Sequence, residues 1–510
     1  MFNLKNYTNS NIKNDLLSGT VVAIALVPEA IAFSFIAGVS PLVGLYAAFI
    51  LGLITSILGG KPGMISGATG AVAVVFVGLG LKVKEHYEAL ELNMSDLSII
   101  ILEHILLATI LAGVIQIIIG ALKMGKFIRL VPQPAMFGFV NGLAIVIATA
   151  QFKFFEGEGY IMYALVIITM LIMYFLPKYT KAIPAGLVAI VSITIVVYFM
   201  NFDTKTVGDL ADISGDLPSF HAPQFIYGWD SFVMVLPYAF LVALVGLIES
   251  LLTLSVLDEM SDTRGSGNKE CVAQGVGNVT SGFFGGMAGC AMIGQSIINY
   301  SSGGLGRLSS FTAATLLILF VISLSDLISI IPVAVLVGIM FMVSIGTFEF
   351  SSINRLKFMP KSDAFVLILV TIVTVMFDLA VAVIAGIIIS ALVFAWKHAK
   401  IYSHSELEDD GKTKVYKLNG PLFFGSVTSF HEQFDVKNDP KNVIIDFKDT
   451  RVMDVSGVEA IDALTKKYEA SGKKLSLRHL SKDCKQLLKD AGPYCTYEDD
   501  DPTYKVAANL

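Results

Sequence analysis

Charged residues are scarce in this chain. Only 15% of its 510 residues are Asp, Glu, Lys or Arg, 55% are hydrophobic, and the mean hydropathy is +0.71. A soluble globular protein of this size needs far more charged surface. The shortage is local: residues 1–397 are long apolar runs, whereas 398–510 have ordinary soluble composition. Two domains are therefore expected, a membrane domain over 1–397 and a soluble one over 398–510. The net charge of −6 offers no basic surface for nucleic acid. The four cysteines (Cys271, Cys290, Cys484, Cys495) are scattered without metal-ligand spacing, so neither a disulfide framework nor a metal centre is expected. Residues 1–15 are polar and lead straight into a full-length apolar run, which argues against a cleavable signal peptide. No G-x-x-x-x-G-K-[ST] phosphate loop and no nucleophile–base pair is present, so energy from ATP and enzymatic chemistry are both disfavoured.

What is abundant is apolar runs long enough to cross a bilayer, which takes about 20 residues per helix. Eleven are clear, from 16–38 to 379–396, and 65–81, 271–285 and 291–301 are weaker and rich in small residues. Together they make fourteen. With the N-terminus inside, Lys61, Lys123, Lys126, Arg129, Lys178, Lys181, Arg264, Lys269, Arg307, Arg355, Lys357 and Lys361 fall on the inner side. The longest opposite loop holds Asp203, Asp209, Asp212 and Asp216, as the positive-inside bias requires. Lys82 and Lys84 dissent, but beside Glu85, Glu88 and Glu91. The expectation is a plasma-membrane (bacterial inner-membrane) protein with both termini in the cytoplasm.

Carboxylates at matching places interrupt the apolar runs: Glu29 in the first and Glu249 in the eighth. A charge at bilayer depth costs roughly 2.5 kcal/mol or more and marks function by default. Two other runs open on small residues. Ser66-Gly67-Ala68-Thr69-Gly70-Ala71 starts the third, and Gly285-Gly286-Met287-Ala288-Gly289-Cys290 precedes the tenth. Each reads as an extended stretch leading into a half-helix, whose N-terminal N–H groups suit an anion. Such glycines also serve close helix packing. Runs one and eight, and three and ten, correspond if the chain is two sevens, and seven is odd, so the halves must be inverted. Broken segments at equivalent places in two halves are a transporter signature.

At this point the residues resemble the SulP sulfate-permease family of anion transporters. Val27-Pro28-Glu29-Ala30-Ile31-Ala32-Phe33, then Ala37-Gly38-Val39-Ser40-Pro41-Leu42-Val43-Gly44-Leu45-Tyr46, is similar to its first-span motif. Asn268-Lys269-Glu270 followed by Gly275-Val276-Gly277-Asn278 is similar to its N-[QK]-E…G-x-x-N motif. The resemblance implies an α-helical membrane protein of fourteen spans, in a seven-plus-seven inverted repeat with core and gate subdomains, working as a homodimer. It places a small inorganic anion between spans three and ten, against Glu29, Phe33, Ala68, Thr69, Gly70, Ala71, Ala291, Met292, Ile293 and Gln295. From sodium-coupled bicarbonate relatives it implies a cation site at Glu249 and Thr253, with Ala291 and Ile293. Glu29 stands where the family usually has Gln, Gln295 lies where many members place an Arg beside Ser or Thr, and Glu249 replaces Asp. Losing a fixed cation and gaining an acid weakens bare anion binding, so a co-transported Na⁺ or H⁺ is expected, and no other cofactor.

The soluble segment alternates short strands (415–418, 422–424, 442–447, 474–478) with helices (426–434, 457–471, 482–491), which predicts a small α/β sheet domain. It resembles a STAS domain. Ser456 occupies the position that is a phosphorylatable serine in stand-alone STAS regulators, and with Glu459 it also spells a helix capping box. The leading function is secondary active transport of an oxyanion such as sulfate or bicarbonate. A nucleobase or dicarboxylate permease, or a STAS-linked sensor without net flux, are the alternatives.

Overall fold

The computed structural model describes residues 9–88, 94–125, 132–180, 185–210, 217–223, 228–376, 379–408 and 412–489. Glu91, Lys126, Arg129, Lys181, Asp212, Asp216 and Cys495 lie outside the described residues. The chain divides into two compact units, Met1–Ile387 and Ile388–Leu510. The division falls inside the last apolar helix, Leu379–His398.

Among the described residues, fourteen segments make the spans of the membrane unit. Spans one to seven are Asn9–Ala37, Pro41–Leu58, strand β1 (Ser66–Gly67) with helix Gly70–Glu88, Met94–Ala121, Gln133–Gln151, Tyr160–Tyr179 and Ala185–Met200. Spans eight to fourteen are Gly228–Ser261, Gly267–Phe283, strand β2 (Cys290–Ala291) with helix Ile293–Ser301, Arg307–Ser323, Val333–Thr347, Lys361–Met376 and Leu379–His398. Span ten has a nine-residue helix because the chain covers the rest of that segment as extended backbone. Large apolar side chains such as Phe175, Phe199, Leu392 and Phe394 are exposed on spans six, seven and fourteen, as a lipid-facing surface requires.

The inverted repeat is visible in the packing. Span one packs on eleven as eight packs on four, and span two on eleven as nine packs on four. Span one meets three as eight meets ten, and span five meets thirteen as twelve meets six. Spans one to four and eight to eleven thus form the core, and five to seven with twelve to fourteen the gate. The two groups meet where span one touches seven and twelve and where three touches five. Small residues set a close crossing of spans four and nine: a Cβ on Gly113 would lie 2.6 Å from the Gly275 carbonyl, and one on Gly275 the same distance from the Gly113 carbonyl. Without a hydrophobic drive between helices in lipid, such backbone approach is what holds spans four and nine together.

The soluble unit is a four-stranded sheet in the order β3-β4-β5-β6, made of Tyr402–Glu408, Thr413–Asn419, Asn442–Asp449 and Lys474–Arg478. β3 runs antiparallel to β4; the other pairs are parallel. Helix Val455–Ala470 buries Val458, Ile461, Leu464 and Tyr468 in one core with Ile445, Phe447 and Leu477. Three expectations need correction. β3 is an addition, because its sequence YSHSELE shows no apolar alternation. Residues 422–424 form no strand; Leu422 makes a single bridge to Val452. And the helix is capped by Asp454, not Ser456: one Asp454 oxygen accepts the Gly457 N–H at 2.9 Å and the other accepts the Phe424 N–H at 2.9 Å. Asp454 therefore fixes the helix start and the neighbouring loop together, and Ser456 is left inside the first turn.

Candidate anion site

Spans three and ten break at the same place and join there. β1 and β2 pair antiparallel, Ser66 opposite Ala291 and Gly67 opposite Cys290. The pairing extends through the Met292 N–H to the Ile65 carbonyl at 2.9 Å. Gly289 is required: a Cβ there would lie 2.0 Å from the Gly67 carbonyl oxygen. Irregular backbone in mid-span is tolerated only if its polar groups find partners, and side chains of spans eight, nine and ten supply them. The Ala291 N–H goes to Ser250 Oγ at 3.0 Å and the Ile65 N–H to Ser296 Oγ at 3.0 Å. The Gly289 N–H goes to Asn278 Oδ1 at 2.9 Å, and Asn278 Nδ2 donates to Gln116 Oε1 at 2.8 Å. Gln274 Nε2 holds Ser66 Oγ at 2.8 Å.

Past the strands, helices start at Gly70 and Ile293, and the first N–H groups of a helix have no acceptor within it. These are the groups available to an anion. Phe33 closes on the start of span three so tightly that a Cβ on Gly70 would lie 2.9 Å from its ring. Gln295, in the first turn of span ten, donates from Nε2 to Glu29 Oε1 at 2.6 Å, tying span one to span ten. Phe33, Ala68, Thr69, Gly70, Ala71, Ala291, Met292 and Gln295 are buried, whereas Glu29, Glu249 and Ile293 are partly accessible. Gly294 is exposed, and a Cβ there would meet nothing within 4 Å, so space lies open beside the tip of span ten.

Glu249 sits at the other edge of the break. Its Oε2 accepts from Cys290 Sγ at 3.0 Å, and Cys290 Sγ lies 3.2 Å from Thr69 Oγ1. Thr253, one turn on, donates to the Glu249 carbonyl at 2.8 Å and to the Ala291 carbonyl at 3.3 Å. The structure thus gathers Glu249, Thr253, Ala291 and Thr69 at one point, while Ile293 opens the half-helix behind them. Ser456 stands in the soluble unit, in the first turn of helix Val455–Ala470.

Sequence reasoning names Cys290, Glu270 and Asn278 only within motifs and misses the contacts they make, and it misses Ser250 and Gln274 altogether. The polar stripe of span nine had a signal: Glu270, Gln274 and Asn278 recur every fourth residue and so share a helix face, and all three are buried. Glu270 Oε2 accepts the Gly60 N–H at 2.7 Å, so the stripe also holds the turn leading into span three.

Comparison with known proteins agrees with this architecture. The sulfate permease family model matches residues 12–161 and 158–371, and the STAS domain model matches 404–495. YbaR of Bacillus subtilis, named for sulfate transport, is 44% identical over 96% of this chain and 98% of its own length. The bicarbonate transporter BicA of Picosynechococcus is 28% identical over 89% of this chain and 86% of its own. Among solved structures, the transmembrane domain of a cyanobacterial BicA superposes with a TM-score of 0.66 at 28% identity, covering 74% of this chain and 98% of that one. The murine Solute Carrier 26 family member A9 anion transporter, inward-facing, shares the fold with a TM-score of 0.84 at 17% identity, over 96% of this chain and 89% of that one. The family-model match and the 44% identity along nearly the whole chain, on a fold with its two breaks paired, make this chain a member of the sulfate permease family and a transporter, not an enzyme.

Proposed function

We propose that the protein is a secondary active transporter of a small inorganic oxyanion, of the sulfate or bicarbonate class, coupled to Na⁺ or H⁺. The observation that carries this reading is the β1–β2 pairing, which sets two helix N-termini beside two carboxylates. The helix ends receive the anion. Glu249, with Thr253 and the Ala291 carbonyl, takes the coupling cation, whose charge offsets the acids that the anion must approach. Core spans one, three, eight and ten carry these groups together, so movement of the core against the gate exposes anion and cation to each side in turn. The protein sits in the plasma membrane as a homodimer with both termini in the cytoplasm, and the STAS domain modulates rate or assembly.

The test is uptake of radiolabelled sulfate and bicarbonate into proteoliposomes, with and without a Na⁺ gradient, at two pH values. Gradient-driven uptake of either anion is expected, and Glu249→Gln should abolish the coupled component while the purified variant keeps its fold. Unchanged cation dependence in Glu249→Gln would remove Glu249 from the coupling site. No flux of any anion would favour a sensor.

A further inference from the structure

Gln295 carries an unused acceptor. It is buried, 4% exposed, in the first turn of the span-ten half-helix. Its amide offers donors on nitrogen and an acceptor on oxygen. The nitrogen serves Glu29 at 2.6 Å. The oxygen, Oε1, is shielded from solvent and has no partner among the described residues. With Glu29 ionised, turning the amide over does not repair this, because a carboxylate only accepts and so claims the N–H side. A buried acceptor left unpaired is costly, so this site gains most from a ligand that brings a hydrogen.

Charge points the same way. Glu29 and Glu249 are both acids, and two cations of the core are engaged elsewhere. The Lys61 ammonium is held by Asp258, Ser261 and Thr263, and the Arg307 guanidinium by the carbonyls of Ser56, Ile57 and Gly59. Besides the coupling cation at Glu249, the positive charge left to meet an anion comes from two helix ends, about half a unit each. The helix ends together match one negative charge, and a second would face the acid charge that a single coupling cation leaves uncompensated.

We propose that the site takes a singly charged oxyanion bearing its own proton, of which bicarbonate is the simplest, and rejects bare dianions such as sulfate. The ligand's O–H donates to Gln295 Oε1, and its other oxygens accept from the N–H groups at the starts of spans three and ten. This rests on the transport reading above and makes Gln295 the residue that sets selectivity.

The experiment compares uptake of radiolabelled bicarbonate and sulfate by proteoliposomes of the full chain, at equal concentrations and gradients. Alkaline pH and the absence of carbonic anhydrase keep dissolved CO₂ from carrying the label. Bicarbonate flux should exceed sulfate flux by about 100-fold or more, since sites built around a substrate hydroxyl discriminate strongly. Gln295→Met keeps the length but removes the acceptor, and should reduce the ratio roughly tenfold or more. Gln295→Arg, which sets a fixed cation beside Glu29, should raise sulfate flux. Sulfate flux equal to bicarbonate flux in the unaltered protein overturns this inference and leaves the transport reading standing. So does a transporting Gln295→Met variant with the full ratio intact. Flux of neither anion overturns both.

Discussion

The two halves of the membrane unit invite a direct comparison. Both break a span, pair the broken backbone and bring a carboxylate to the break. The first break is followed by a helix of 19 residues and the second by one of nine. The acids differ more. Glu29 reaches across the repeat to an amide, Gln295, in the opposite half. Glu249 bonds a thiol, Cys290, of its own half, which in turn contacts Thr69 in the other. Backbone saturation in lipid forces the shared part: once two strands are unwound, they must pair and need small residues at the crossing. Nothing in that constraint fixes what each acid bonds, so the partners have diverged.

The strongest way to break this comparison is to separate the strands. Gly289→Ala forces a Cβ against the Gly67 carbonyl and should cost about 3 kcal/mol or more, seen as a large fall in thermal unfolding temperature and loss of uptake. Gly294→Ala, on open space in the same span, should unfold like the unaltered protein. Equal stability of the two variants would mean that the pairing does not hold the core.

A second substitution separates the two acids. Cys290→Ala removes the donor to Glu249 Oε2 and should shift the cation dependence of uptake by roughly tenfold, while Cys290→Ser restores it. Anion selectivity, assigned to the Glu29–Gln295 pair, should stay put in both.

The soluble unit has no repeat and serves as the contrast. Burial alone would raise the Asp446 carboxyl, but the Lys448 N–H, His479 and Arg478 together hold it below the usual carboxylate range. A lowered acid stabilises the fold above the unfolded-state value, near pH 4, and that stability is lost as pH falls through the folded-state value. Unfolding of this unit should therefore become easier in acid, and Asp446→Asn should flatten the dependence. The smallest effect concerns the helix start: Asp454→Ala should cost about 1 kcal/mol, whereas Ser456→Ala should lie within a few tenths. A larger loss from Ser456→Ala would return the cap to that serine.

Much of this architecture is legible in the amino-acid sequence. Hydropathy locates the spans, small residues locate the breaks, and the four-residue spacing of Glu249 and Thr253 puts both on one face. What escapes a linear reading is the pairing of distant segments. Gln295 and Glu29 are far apart in sequence, and a lone Cys290 among glycines gives no hint that it holds Glu249. Span nine looks merely weak because its buried face is polar. Ser456 and Asp454 are both good cap residues, and only the loop carrying Phe424 decides between them. β3 is held by ladder bonds to β4, which leave no mark on side-chain pattern.

The partnership of β1 with β2 also has a consequence for how this protein is made. A ribosome delivers Ser66 and Gly67 to the bilayer long before Cys290 and Ala291 exist. Until they arrive, the earlier stretch must wait in the lipid with its peptide groups unmet, or stay outside it. Insertion of the third segment is thus a debt settled only when the tenth emerges, and a nascent chain stalled between them should remain open to protease at residues 66–70.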